Sequence, residues 1–357
     1  MTVLVALAGA ILLLAWPAAA QTTRASAVAL DTAVALDTTI DEDGNASTGL
    51  SADAQASVAI TGTLQVMVRP FLQRQGNGDW NAQVWVAGLR YERPGDLGVR
   101  VDAGLIPSPI GLANLTLRPH LNPTISQPSS LFTPLPPVAL PMPRTTLLGP
   151  VYPVGVSVTA STLRWDARAA VIDTSPVRTR RVFADDTPPN PPRFATVVIG
   201  GGVTPVVGLR IGASLSHGGW MKPGETLAGG RAADATVVTV EGEFSYRYTR
   251  VVAEWIRARL ETGSGGALIA DGFYVQAQQT LAPRWFVAGR VERMDAPAAS
   301  PVDDIIRQQF TGVEETVGYR LLPEVTIRVS HRAREGFGVR GFSHTAAVSV
   351  VFWKRWF

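Results

Sequence analysis

Apolar and polar residues alternate one by one through most of this chain. Leu97, Val99, Val101, Ala103 and Leu105 alternate with Gly98, Arg100, Asp102 and Gly104. Leu163, Trp165, Ala167, Ala169 and Val171 alternate with Arg164, Asp166 and Arg168. The same period of two runs from Val207 to Leu215 and from Val238 to Tyr248. Such a period belongs to a strand with two unlike faces, not to a helix. Fourteen stretches carry it or read as strand: 54–69, 80–92, 97–105, 154–160, 163–171, 194–203, 207–215, 238–248, 250–260, 273–281, 285–293, 310–321, 325–332 and 343–357. Two of them, 80–92 and 250–260, have no clear phase.

The connections between these stretches alternate in length. Every second one is short, as at Arg93-Pro94-Gly95-Asp96, Thr204-Pro205-Val206, Ala282-Pro283-Arg284 and Leu322-Pro323-Glu324. Those between are mostly longer: 70–79, 107–152, 173–193, 217–233, 261–271, 294–308 and 333–342. A soluble sandwich has no reason for this rhythm. A transmembrane barrel does, with short periplasmic turns and longer external loops. The expected fold is all-β: a transmembrane antiparallel up-and-down β-barrel of about fourteen strands over residues 54–357, with both termini on the periplasmic side.

Composition supports that reading. Charged residues make up 17%, below the roughly 25% of soluble domains. Yet no apolar run outside the first residues approaches the ~20 that a membrane helix needs. The first residues, Val3 to Trp16 followed by Ala18-Ala19-Ala20, form an apolar core with a small-residue cleavage site, and 1–20 is expected to be a signal peptide. Residues 21–53 hold Arg24 against Asp31, Asp37, Asp41, Glu42, Asp43 and Asp53, and read as a flexible acidic periplasmic lead-in. The chain has no Cys, which excludes disulfides, thiol catalysis and Cys-ligated metal. All its basic residues but Lys222 and Lys354 are Arg.

With the apolar phase toward lipid, the other phase faces a polar lumen. That assigns Arg100, Asp102, Arg164, Asp166, Arg168, Arg210, Glu241, Glu243, Arg290, Glu292 and Arg328 to the interior. Most of these are expected to brace the wall as cross-strand pairs. Arg210 and Arg328 stand alone in their strands and are the better candidates for touching a passing solute. The longest connection, 107–152 and the flanking Pro153, holds twelve prolines and no acid. Its leucines and isoleucines argue against free solvation. It is expected to fold inward and narrow the lumen, with Arg118, His120 and Arg144 giving an acid-free constriction that favours anions. The competing reading is a lid packed on the external rim.

Catalysis finds little support. His120, His217, His331 and His344 lie in separate segments without metal-ligand spacing, and no G-x-S-x-G elbow occurs. No cofactor, metal or nucleic-acid partner is expected. A barrel hydrolase would have to draw its Ser/His or Asp/His constellation on His217, His331 or His344, and the Asp185-Asp186 pair could at most hold a cation weakly; a non-conducting structural or adhesin barrel would use its loops.

Three motifs carry a family likeness. They are Gly104-Leu105-Ile106-Pro107-Ser108-Pro109-Ile110-Gly111-Leu112, Gly272-Phe273-Tyr274-Val275-Gln276-Ala277-Gln278 before the Leu281-Ala282-Pro283 turn, and Val317 to Arg328. With them the chain resembles bacterial outer-membrane porins, nearest in style to the phosphate-selective group. The closing stretch, Ser343 to Phe357, is similar to the C-terminal assembly signal of outer-membrane barrels, with Trp353 and Phe357 in its apolar phase. The resemblance implies a channel, commonly trimeric, for small anions such as phosphate or carboxylates, delivered to the bacterial outer membrane through the barrel-assembly machinery. It also implies sixteen strands, with two hidden in 21–53 or 107–152. In the fourteen-strand count the last strand is expected to close the sheet against 54–69.

Overall fold

The computed structural model describes residues 28–76, 78–112, 117–138, 145–149, 152–178, 195–225, 229–263, 265–299 and 305–357. The expected signal peptide, Arg144 and the Asp185-Asp186 pair lie outside them.

The chain is a closed antiparallel barrel in which each strand pairs with its neighbours in sequence. In chain order the strands are β1 (Val28–Asp41), β2 (Ala46–Ala59), β3 (Leu64–Gln75), β4 (Asn81–Arg93), β5 (Gly98–Leu105), β6 (Val154–Ser161), β7 (Trp165–Ile172) and β8 (Thr196–Val206). The second half is β9 (Leu209–Met221), β10 (Ala233–Tyr246), β11 (Thr249–Glu261), β12 (Ala267–Ala282), β13 (Trp285–Ala299), β14 (Ile305–Leu322), β15 (Val325–Glu335) and β16 (Ser343–Arg355). One helical turn, α1 (Ser129–Phe132), lies in the long connection between β5 and β6.

Sixteen strands replace the expected fourteen, and the extra pair lies in the stretch read as a flexible lead-in. Residues 28–41 form β1, and 46–53 belong to β2. The stretch 54–69 is not one strand. It is the end of β2, a turn at Ile60–Thr63, and the start of β3. Parity survives the four-residue turn, so the alternation ran through it unbroken. Closure therefore runs between β1 and β16, in a register from Asp31 opposite Arg355 to Asp41 opposite Thr345. No edge is left unpaired, as a sheet in lipid requires.

Local sequence explains the short turns. Gly208 (φ +89°) turns β8 into β9, and a Cβ there would stand 2.2 Å from the Ser245 carbonyl oxygen. The turns at Pro283-Arg284 and Pro323-Glu324 fall where the Pro residues predicted them. The periplasmic ends carry outward aromatics, including Trp165, Tyr246 and Trp285, each about half exposed. Trp285 packs on Tyr319 with ring centroids 4.7 Å apart. Together they form one girdle of a membrane barrel.

The last strand reads in the opposite phase from the expectation. Ala347, Ser349 and Val351 are buried and face inward, while Val348 and Val350 face out. Trp353 shares the inward phase and stacks on His120, 5.1 Å between centroids. Both phases of β16 are apolar because its inner face packs on chain rather than on water. Arg355, out of place in a lipid-facing phase, follows the inward one.

The core is unusual in position: it lies inside the barrel. Ile110, Leu131, Leu147 and Leu148 of the β5–β6 connection are fully buried. They join one cluster with wall residues Trp220, Ile256, Leu260 and Met294. The described residues of the connection thus fold inward and fill part of the lumen.

Candidate functional site: the lumen

The inward-folded connection is pinned to one side of the wall by buried charge. Its many prolines donate no N–H and break regular pairing, so its remaining polar groups need partners from elsewhere. Strands β11 to β16 supply them. The Leu112 amide donates to Glu254 Oε1 at 3.1 Å. Its neighbour Gly111 (φ +74°) leaves no room for a side chain, since a Cβ there would stand 2.3 Å from the same oxygen. The amides of Ile125 and Ser126 donate to Glu314 at 2.9 and 3.1 Å, and the Ser126 hydroxyl also bonds this carboxylate. The Ser129 amide and hydroxyl donate to Glu292 at 2.7 and 2.6 Å.

Two arginines serve the carbonyls. Arg290 donates to the Thr124 hydroxyl (2.8 Å) and to the carbonyl oxygens of Ser126 (2.7 Å) and Gln127 (3.1 Å), and it pairs with Glu314 at 3.0 Å. Arg328 donates to the carbonyl oxygens of Pro119 (3.2 Å), Asn122 (2.6 Å) and Thr124 (2.9 Å), and to the Ser349 hydroxyl (2.8 Å). These charges, buried at 1 to 3% exposure, are tolerable only because each is hydrogen-bonded, and Arg290, Glu292 and Glu314 are ion-paired as well. Arg290, Glu292 and Arg328 therefore face inward, but they lie beneath the connection rather than along an open channel. Arg328, expected to meet solute, is the clearest correction.

Arg118 and His120 are corrected likewise. The connection has no acid of its own, but the wall supplies Asp31 and Asp53, and both pair with Arg118. Asp53 also pairs with Arg69. Arg118 is thus buried and neutralised, and no acid-free ring forms around it. His120 is neutral, its pKa pushed down to about 4 by burial and then by Arg118.

The opposite wall, β4 to β10, keeps its charges partly open. Arg210 reaches Asp166 (2.6 Å), Glu241 (3.2 Å) and Glu243 (3.9 Å). It is not a lone residue; its partners come from two other strands. Arg168 bonds Ser214 Oγ at 3.2 Å and approaches Glu241 at 3.7 Å. Arg90 and Arg100 share Asp102, at 2.7 and 3.1 Å. The arginine side chains keep 45% (Arg100), 21% (Arg168) and 22% (Arg210) exposure, while the Glu241 and Asp102 side chains keep 0% and 7%. The two deepest carboxylates lie behind guanidinium groups. Asp166 and Glu243 stay nearer the surface, at 28% and 32%. Arg164 does not join them; it sits exposed in the β6–β7 turn.

Residues that the sequence reading missed are Arg90, Glu254, Glu314, Asp31, Asp53 and Arg69. Arg90 and Glu254 lie on the two strands without a clear phase; Asp31 and Asp53 lie in the stretch read as unstructured. Among the described residues no group of three His, Asp or Glu could hold a metal. His217 bonds Thr236 Oγ1 (3.0 Å) on the outward face of β9, away from the lumen.

No family model matches the chain, and no curated protein sequence matches it. Solved structures do resemble it. OmpT, an outer membrane protein of Vibrio cholerae in trimer form, shares 12% identity at a TM-score of 0.60, covering 93% of this chain and all of that one. The anion-selective porin from Comamonas acidovorans shares 12% at 0.59 over the same fractions. A mutant of the Rhodopseudomonas blastica porin shares 13% at 0.51, over 92% of this chain and all of that one. Identities this low establish the fold, which is that of bacterial outer-membrane porins.

Proposed function

We propose that this chain is a passive diffusion channel of the bacterial outer membrane. It admits small hydrophilic solutes, favours anions modestly, performs no catalysis and assembles as a homotrimer. The observation that carries the anion preference is the layering of charge on the open wall. The guanidinium groups of Arg100, Arg168 and Arg210 stand over the buried carboxylates of Asp102 and Glu241. Seen from beyond a Debye length of about 8–10 Å, such pairs cancel. A solute squeezed past them meets the nearer charge first, and the nearer charge is positive more often than negative. The inward-folded connection narrows the passage and forces that approach. The anion-selective porin among the structural neighbours is consistent with the reading.

Planar-bilayer recording under a salt gradient tests it. The reversal potential should have the sign of anion preference. Replacing Arg100, Arg168 and Arg210 together with Gln should move it toward cations with conductance retained. Cation preference in the unmodified protein would sink the arginine argument. Absence of any conductance would favour a structural or adhesin barrel instead.

A further inference from the structure

Four inward positions lie side by side across the open wall: Asp166 on β7, Gly202 on β8, Gly212 on β9 and Glu241 on β10. A carboxylate stands at each end of this row, with two glycines between. The Arg210 side chain fills the gap. Its Nε and Nη2 donate to Asp166 at 3.0 and 2.6 Å, and its Nη1 donates to Glu241 at 3.2 Å. Every nitrogen of this guanidinium therefore already donates to a carboxylate.

The glycines make the arrangement possible. A Cβ on Gly202 would stand 2.8 Å from Arg210 Nη2 and 2.9 Å from its Cζ. One on Gly212 would stand 3.0 Å from Nη1 and 3.1 Å from Nη2. The guanidinium thus occupies the space that two side chains would take. Its three outer atoms stand at nearly one height over the two glycines, so its plane runs along the wall rather than end-on into the lumen. Arg168 repeats the device one row away. It reaches from β7 to Ser214 Oγ on β9 at 3.2 Å, and the residue between them on β8 is Gly200. Both arginines converge on Glu241, at 3.7 and 3.2 Å.

A guanidinium can hold a planar anion in two ways. Its N–H edge forks onto a carboxylate or phosphate, or its face stacks on an aromatic ring. In Arg210 the edge is spent on Asp166 and Glu241, and one face rests on the glycine backbone. The part of the side chain that stays exposed, 22%, is the face turned to the lumen. A passing phosphate finds no free fork there unless it displaces Asp166. A flat ring finds a surface of its own shape.

We propose that Gly202 and Gly212 make Arg210 a stacking platform, and that the lumen retains planar aromatic anions in preference to saturated anions of the same charge and ring size, a reading that rests on the channel function proposed above and names a solute class for its open wall.

Block of the chloride current tests this. The full-length protein in planar bilayers is titrated with benzoate or with cyclohexanecarboxylate, which share a carboxylate and a six-membered ring and differ in flatness. The saturated ring is the more apolar, so simple hydrophobic adhesion would favour it. The expected result is half-block by benzoate at a concentration about threefold lower. R210Q removes the platform and G202A lifts it from its floor, and each should bring the two half-blocking concentrations together. G242A adds a methyl group on the outward face of β10, where nothing lies within 4 Å, and should keep the difference. Folding of each variant is checked by heat-dependent electrophoretic mobility, and R210Q decides alone if G202A does not fold. Equal half-blocking concentrations in the unmodified protein, or a difference that survives R210Q, overturn the platform while the channel reading stands. A difference lost in R210Q but kept in folded G202A overturns the part assigned to the glycines. A protein that carries no current overturns the channel reading and the platform with it.

Discussion

The two halves of the inner wall use the same residue types for opposite ends. On β11 to β16 the charges are sealed: Arg290, Glu314 and Arg328 keep 1 to 3% exposure and spend their bonds on the inward-folded connection. On β4 to β10 Arg100, Arg168 and Arg210 keep a fifth to nearly half of their side-chain surface. The difference lies in what stands opposite. Where chain covers the wall, a charge must be fully paired, so it becomes a structural anchor. Where the lumen stays open, a charge keeps water on one side and can act on whatever passes.

The sharpest way to break this contrast is to remove a sealed charge. Glu314 accepts two backbone amides and a hydroxyl from the connection and pairs with Arg290. Truncation to Ala leaves Arg290 short of its carboxylate in a buried site, a class of change that costs about 3–5 kcal/mol. Urea unfolding in lipid vesicles should show that loss. Single-channel recording should show a larger and noisier conductance as the connection detaches. A variant as stable and as quiet as the unmodified protein would mean that Glu314 is not an anchor.

The open wall should respond in the reverse sense. Arg210→Gln removes a partly exposed pairing, for which a stability loss smaller than the ~3–5 kcal/mol of a broken buried pair is expected. It leaves Asp166 and Glu243 facing the lumen without their arginine, so ionic selectivity should shift toward cations. Reversal potentials before and after the substitution measure it. A large stability loss with unchanged selectivity would place Arg210 among the sealed anchors instead.

The same contrast explains what the sequence could reveal. Strands β5, β7, β9 and β10 were legible because their inner residues are mostly polar and their outer residues apolar, which yields clean alternation. Strand β11 was ambiguous because its polarity is inverted at the external end. Ile256, Ala258 and Leu260 point inward to the packed connection, while Arg257 and Arg259 point out. Glu254 was lost in that inversion. Strands β1 and β2 hid behind small residues, since Ala, Ser, Thr and Asp resemble a solvated lead-in until their partners are known. The inward direction of Arg290 and Arg328 follows from the parity of their strands. That they are covered depends on where residues 119–127 dock, a contact across some two hundred positions that no local pattern encodes.

The smallest expected effect sharpens the contrast from the side of pH. His120 belongs to the sealed half, stacked on Trp353 and close to Arg118. Burial first, and then the arginine, lower its pKa from 6.5 to about 4. Between those values the unfolded chain binds a proton that the folded chain does not. Stability therefore rises with pH across this window and is lost as pH falls from about 6.5 toward 4, below which the contribution levels off. Urea midpoints measured across the window should slope in that direction, and His120→Phe, which keeps a ring against Trp353, should flatten the slope without moving ionic selectivity. The other three histidines lie on the outer face and are unchanged in the variant, so the difference between the two profiles isolates the sealed site. Identical profiles for the two proteins would show that His120 is open to protons, and with it the part of the lumen held here to be closed.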